Sequence, residues 1–427
     1  MEILYFQNPN HADNVEQFSD FLSRENSLQD TPIEEIVDIF NSISLYWTSK
    51  ECQVRDLLVT EGMGFIVPWL KRANITKLLN QNFPDYTLLD DPKISDDGQI
   101  YYARPCGTAV HWIAGNVPVL GVISLFQTLL TKNRSIVKVP SSYKQVLPQI
   151  FRDLESSSFF KDNQKSTLNK ILYSTLILYT DRDDVEWQNL LSQNADIRVA
   201  WGGTEAIASI VGLQKKINAR DLIYGPKVSL AVASKKMIES SEGRERMAKL
   251  LADDVFPFDQ AGCNAPHNLI IENCDKISTE QLAAIVHEEF EKKVNKLKPK
   301  KEPIDSFNII LKKFIYQSSE GKKAISSEFN NSNVFSSEGG VNVEDPLYSR
   351  SIFISSVKNI EDLATSLPHN IQSVGLYVEQ ERKIQIIKIL SNFGVDRFPD
   401  LGKMALYQNP WDGYLPLQSM VKWISTN

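Results

Sequence analysis

The chain is predicted to be an α/β protein with two parallel-sheet domains, the second carrying a cysteine turn, preceded by a helical layer. Three observations predict this. Apolar strands alternate with helices from Thr108 to Trp201, and a similar alternation resumes at Lys227. The turns GNVP, KVPSS, YTDRD and WGGTEA all fall just after strands, where ligands bind in open parallel sheets. Before them, Val15, Phe18, Phe21 and Leu22, then Ile33, Ile36, Val37 and Phe40, recur at the three-and-four spacing of amphipathic helices.

The elements follow in order. The opening EILYFQN nearly matches the recognition sequence of a protease used to remove purification tags, so residues 1–10 stand outside the fold argument. Residues 11–95 form a helical region, with Thr31, Pro32, Glu34 and Glu35 as a helix start. Gln99 to Ala103 reads as a short strand of a hairpin or flap. Thr108 to Ala114, Ser135 to Val139, Leu176 to Thr180 and Ile197 to Trp201 are strands, with helices at Val119–Thr131, up to Phe151, and at Val185–Gln193. Such strands lie in a sheet covered on both faces. Residues 96–224 are taken as the first α/β domain and 225–409 as the second. In the second, strands are expected at Lys227–Ser234, Asn268–Glu272, Ser351–Ser356 and Ser373–Val378, with helices at Arg244–Asp254, Gln281–Asn295 and Ile360–Leu367. Lys296–Lys301 and the serine and asparagine cluster Ser326–Ser337 read as surface loops. Residues 410–427 form a C-terminal segment that returns to the first domain or to an oligomer contact.

A net charge of −7, with 23% charged residues and no basic arm, excludes an ordinary nucleic-acid-binding class. The most apolar run, Val117 to Leu130, is too short to span a bilayer, which needs roughly 20 residues. Cys52, Cys106, Cys263 and Cys274 are scattered without CxxC spacing, which argues against a disulfide framework or a metal site and for a reducing cytoplasm.

Chemistry concentrates in FDQAGCNAPHN, Phe258 to Asn268. Small residues flank Cys263 and leave its thiol open, as a nucleophile requires, although the same context suits a buried cysteine. No GxGxxG or GxxxxGK motif occurs. Gly202, Gly203 and Thr204 stand at a strand-to-helix junction, which is either a phosphate-binding turn or simply a tight one. Asn116 in GNVP is either an oxyanion donor or a turn asparagine. His111 and His267 lack any carboxylate or metal-ligand partner in the sequence and read as structural.

The order of these stretches resembles the aldehyde dehydrogenase superfamily, whose pattern runs PWNFP, KPSE, GSTE, ELGG and GQxC where this chain has AGNVP, VKVPSS, GGTE, IYGPK and QAGC. It is more similar still to the LuxC-type fatty acyl reductases of bacterial luminescence systems, through GNVP at Gly115, WGGTEA at Trp201, DQAGC at Asp259 and WDG at Trp411. The resemblance runs from about Arg104 to the C-terminus. It implies a Rossmann-like cofactor domain followed by a thiol domain. It also implies that Cys263 takes an acyl group, while Asn116 and the Cys263 backbone amide form an oxyanion hole. Lys138 and Ser141 would contact the adenosine ribose and its phosphate, and Gly202, Gly203 and Thr204 the pyrophosphate or nicotinamide side. Two departures are informative. IYGP replaces ELGG, with Ile223 nearest the glutamate that activates water, so an acyl-enzyme should hydrolyse slowly. KVPSS lacks the acid of KPSE, which tilts the cofactor toward NADPH, with NADH the alternative.

The expected function is therefore NADPH-dependent reduction of an acyl-CoA or acyl-carrier-protein thioester to an aldehyde, in a cytoplasmic homo-oligomer without metal, membrane span or nucleic-acid partner. An oxidising aldehyde dehydrogenase and a non-catalytic acyl-binding subunit are the alternatives.

Overall fold

The computed structural model describes residues 1–96, 98–297 and 303–426. Two compact units emerge: residues 1–225 with 414–427, and residues 226–413.

In the first unit, β1 (Glu2–Phe6) precedes α1 (Asn14–Ser23) and α2 (Ile33–Thr48). Pro32 at the start of α2 has no side chain to cap it, and the Ile33 amide donates instead to Asp90 Oδ1 at 2.8 Å. Three shorter helices follow, α3 (Arg55–Thr60), α4 (Ile66–Trp69) and α5 (Arg72–Asn82). The expected hairpin is present as β2 (Lys93–Ile94) antiparallel to β3 (Ile100–Pro105).

The expected alternation then appears, with β4 (Thr108–Trp112), α6 (Pro118–Leu130), β5 (Arg134–Lys138), α7 (Val146–Ser156), α8 (Asp162–Tyr173), β6 (Thr175–Tyr179), α9 (Val185–Asn194), β7 (Ile197–Trp201), α10 (Thr204–Val211) and β8 (Arg220–Tyr224). These strands make a six-stranded sheet in the order β1-β6-β5-β4-β7-β8, parallel except for β1. Glu2–Phe6, set aside from the sequence argument, supplies its edge by pairing with β6.

Every residue of α6 is buried, which explains its almost unbroken apolar sequence. Its few polar groups are satisfied internally: His111 on β4 contacts Ser124 Oγ at 3.3 Å and Thr128 Oγ1 at 3.2 Å. Burial alone pushes the His111 imidazole down to about 3, so it stays neutral and structural, as expected from the sequence.

The second unit repeats the plan with β9 (Val228–Ala233), α11 (Ser241–Val255), β10 (Pro266–Glu272), α12 (Thr279–Leu297), α13 (Pro303–Gln317), β11 (Lys322–Ser326), β12 (Asn333–Ser337), β13 (Ser351–Val357), β14 (Ile371–Tyr377) and α14 (Gln380–Leu390). Its sheet runs β11-β12-β13-β10-β9-β14 and is parallel except for β11. The Ser326–Ser337 cluster is therefore not a surface loop. It closes β11 and forms β12, a fully buried strand between β11 and β13. Serine and asparagine are tolerated there because their polar groups find partners, such as Asn333 Nδ2 donating to Ser351 Oγ at 3.1 Å. Of the lysine-rich stretch 296–301, residues 298–301 lie outside the described residues. The segment at Ile360–Ser366 is a 3₁₀ helix. On α13, Phe307, Ile310, Leu311 and Phe314 form an exposed apolar stripe.

The chain ends in the first unit with α15 (Pro416–Ser419) and β15 (Val421–Ser425), which pairs antiparallel with β3. Among the described residues no helix is long and apolar enough to cross a membrane.

Candidate active site

The carboxyl ends of β4, β5 and β7 open into a cleft of about 670 Å³ in the first unit. Asn116, Lys138, Gly202, Gly203 and Thr204 all line it, so five of the predicted residues come together. Ser141 does not line it and stands exposed in the short 3₁₀ turn Ser141–Tyr143.

Gly203 caps α10, and a side chain there would meet nothing within 4 Å, so the backbone is open to a ligand. The helix start adds unpaired amides and positive dipole to that opening. Trp201, just before it, donates its indole N–H to Ser124 Oγ at 3.2 Å and stacks on Tyr224 at 3.9 Å between ring centroids. Lys138 is half-buried, and burial lowers its pKa against the pull of Asp181. Asn116 is exposed, and its Oδ1 accepts from the Val117 amide at 3.0 Å.

Cys263 belongs to the second unit, in the turn between α11 and β10. The approach to it is conformationally unusual. Phe258, Asp259 and Gln260 have φ of 52°, 53° and 67°, a left-handed run that costs about 1–2 kcal/mol per residue. Two clamps hold it. Asp259 pairs with the fully buried Arg350. The buried Gln260 amide donates to Pro266 O and Ser351 O, both at 2.8 Å, and accepts from Ser351 N at 2.8 Å. The DQ of DQAGC thus fastens the cysteine turn to β10 and β13.

Beyond the turn, Ser229 Oγ on β9 donates to the Cys263 carbonyl at 2.7 Å. Both strands that flank β9 bulge at the level of Ser229: His267 is the extra residue in β10 and Gln372 the extra residue in β14. Bulges re-aim side chains, and these two lie beside the cysteine turn.

The Gln372 Nε2 donates to Asp412 Oδ1, and Lys227 Nζ lies 3.8 Å from the same oxygen while pairing with Asp396 at 2.6 Å. Arg397 lies over the Trp411 ring, 4.2 Å from its centroid. Burial pushes the Cys263 thiol up to about 12, the Asp412 charge adds to this, and Arg397 and a hydrogen bond from Gln372 oppose it. Burial likewise raises Asp412 against its bond to Gln372. The half-buried thiol thus rests protonated.

One expected result follows from this arrangement. Asp412→Asn removes a negative charge from beside the sulfur, so the Cys263 pKa falls and its alkylation by iodoacetamide at pH 8 accelerates several-fold. A slower rate would show that Asp412 does not act on the thiol electrostatically.

Asp412 and Lys227 lie within the WDG and IYGPK motifs, but nothing in either motif announces a place near the thiol. Gln372 and Arg397 carried no local signal at all.

A family model described as acyl-CoA reductase (LuxC) matches residues 28–423. The chain belongs to the LuxC acyl-CoA reductase family. It is 25% identical to a long-chain acyl-protein thioester reductase of Vibrio harveyi over 419 residues, covering 93% of this chain and 83% of that protein. Among solved structures, a putative aldehyde dehydrogenase, PutA, from Anabaena variabilis superposes with a TM-score of 0.64 at 13% identity, covering 96% of this chain and 92% of that one. A 3,6-anhydro-L-galactose dehydrogenase solved in complex with NAP gives 0.61 at 11% identity, covering 96% and 88%. The fold of this LuxC-family chain is thus that of the aldehyde dehydrogenases, as the motif order implied.

Proposed function

We propose that this protein reduces an acyl thioester to an aldehyde with NADPH, through an acyl group carried on Cys263. The observation that carries the reading is the absence of a carboxylate at Ile223, a half-buried aliphatic residue of β8, in a chain that keeps a cysteine in its DQAGC turn. The family match and the acyl-protein thioester reductases among the relatives support the substrate class.

In this reading the Cys263 sulfur bonds to the thioester carbonyl carbon, the donor's carbon–sulfur bond breaks, and the donor thiol leaves with the proton displaced from Cys263. By the motif resemblance, Asn116 and the Cys263 amide would be the donors to the oxyanion of the tetrahedral intermediate, where one donor is worth about 3–4 kcal/mol. With no base at Ile223 to activate water, the acyl group persists on sulfur.

The first unit suits a nicotinamide dinucleotide. Gly202, Gly203 and Thr204 at the head of α10 would face its pyrophosphate side, and Lys138, with Ser141 in the following turn, its adenosine ribose. Arg182 in the cleft wall is paired with Asp183 at 3.4 Å, so the choice of NADPH rests on KVPSS, which lacks the acid that would repel a ribose phosphate. When bound, the reduced cofactor supplies the hydride that, with one proton, releases the aldehyde and restores the thiol.

Mixing acyl-CoA or acyl-carrier protein with NADPH tests the reading: NADPH absorbance falls and mass spectrometry detects an acyl-Cys263 adduct. Free acid formed from aldehyde and oxidised cofactor without added thiol would instead favour an oxidising dehydrogenase. The apolar stripe on α13 supports self-association, and Phe314→Glu then shifts the sedimenting species to a single chain.

A further inference from the structure

A second cavity, of about 440 Å³, lies within the second unit at the amino ends of β9, β10 and β14. Its volume falls within the range of small-molecule sites. Ser229, which bonds the Cys263 carbonyl at 2.7 Å, forms part of its wall, so a single residue separates the cavity from the cysteine turn.

The bulge residue His267 also lines it. This imidazole is 3% exposed, and its Nδ1 has no hydrogen-bond partner among the described residues. One face of the ring is fixed by Tyr348, whose ring meets it edge-on at 5.2 Å. Burial pushes His267 down to about 4, so the ring is neutral at physiological pH. A buried polar nitrogen without a partner is rare in proteins and costly, and here it borders a space large enough to hold one.

The rest of the wall narrows the choice. Glu344 and Asp345 disfavour a phosphate or carboxylate, and Lys227 is already engaged by Asp396. Asn268 is likewise committed, through Nδ2 and Oδ1, to Glu344 backbone groups at 2.9 Å. An alkyl chain would leave the imidazole nitrogen unsatisfied. A neutral, flexible chain bearing amides meets each condition.

We propose that this cavity binds the amide-bearing pantetheine arm of the thioester donor, with His267 Nδ1 hydrogen-bonded to one of its amides. The inference rests on the reading of Cys263 as the acyl acceptor. Coenzyme A and carrier proteins share this arm, so the site serves either donor.

The test compares thioesters of one acyl chain on coenzyme A, on carrier protein, on pantetheine and on ethanethiol, using the full chain and NADPH. His267→Phe keeps a ring but removes the nitrogen. It is expected to raise KM about tenfold for donors that carry the arm, the worth of one hydrogen bond, and to leave the ethanethiol ester unaffected. The arm-bearing donor with the higher kcat/KM on the wild-type protein is the donor in use. Should His267→Phe fail to fold, Ser366→Trp obstructs the cavity from its exposed rim and is expected to give the same split. Equal losses on all four esters, or no loss on any, would overturn the proposal. If no thioester acylates Cys263, the reading of the nucleophile fails instead. Calorimetric binding of free pantetheine to the wild-type protein and to His267→Phe then still decides the cavity: tenfold weaker binding to the variant upholds it, and no binding to either overturns it.

Discussion

Alanine at Cys263 removes the acyl-enzyme and lowers aldehyde formation by three orders of magnitude or more, while the protein folds with unchanged stability. Loss of a catalytic nucleophile has effects of this order elsewhere. The hydrogen bond from Gln372 to the half-buried thiol is not what holds the turn, since it is the Cys263 carbonyl that Ser229 holds. Mass spectrometry after incubation with acyl-CoA reads the adduct, and thermal denaturation reads the fold. Aldehyde formation within tenfold of wild type would remove Cys263 from the chemistry altogether.

Leucine at Gln260 has the largest expected effect on stability. The side chain fits a similar volume but cannot replace three hydrogen bonds of 2.8 Å, and it takes a partner from the buried Pro266 and Ser351 carbonyls, while the Ser351 amide keeps the Tyr348 carbonyl at 3.1 Å. At about 1–3 kcal/mol for each of the two carbonyls, softened by relaxation, the variant loses about 2–4 kcal/mol. Urea denaturation measures this directly. Acylation of Cys263 should fall with it, because the left-handed run Phe258–Gln260 has lost the clamp that imposes it. A change below 1 kcal/mol would show that the turn is held by other means, with the Asp259–Arg350 pair the next to examine.

Much of the architecture was legible because its strands are short, apolar and punctuated by glycine, proline and aspartate. Thr108–Trp112, Ile197–Trp201 and Pro266–Glu272 lie within two residues of their expected bounds for that reason. What escaped was polar sequence whose burial is decided by its neighbours. β12 reads NVFSS and looks like a loop until β11 and β13 flank it. β8 reads RDLIY, and its Arg198–Asp221 contact, at 2.7 Å across to β7, is a cross-strand pairing that no local pattern announces. The site divides in the same way. Glycine and cysteine turns declare themselves locally, so Asn116, Gly202, Gly203 and Thr204 could be named from the sequence and share one cleft. Gln372 and Arg397 lie more than a hundred residues from Cys263 and reach it only through the β9–β14 pairing and the segment after it. Ser141 stands outside that cleft, exposed in the turn that follows β5.

The protonated resting state of Cys263 bears on durability as well as on catalysis. Peroxides attack thiolates, and each unit by which a pKa exceeds ambient pH removes about nine-tenths of the remaining thiolate. A sulfur raised to about 12 therefore presents almost no oxidisable anion between turnovers. Sulfenic acid should form at Cys263 more slowly than at an exposed, low-pKa cysteine.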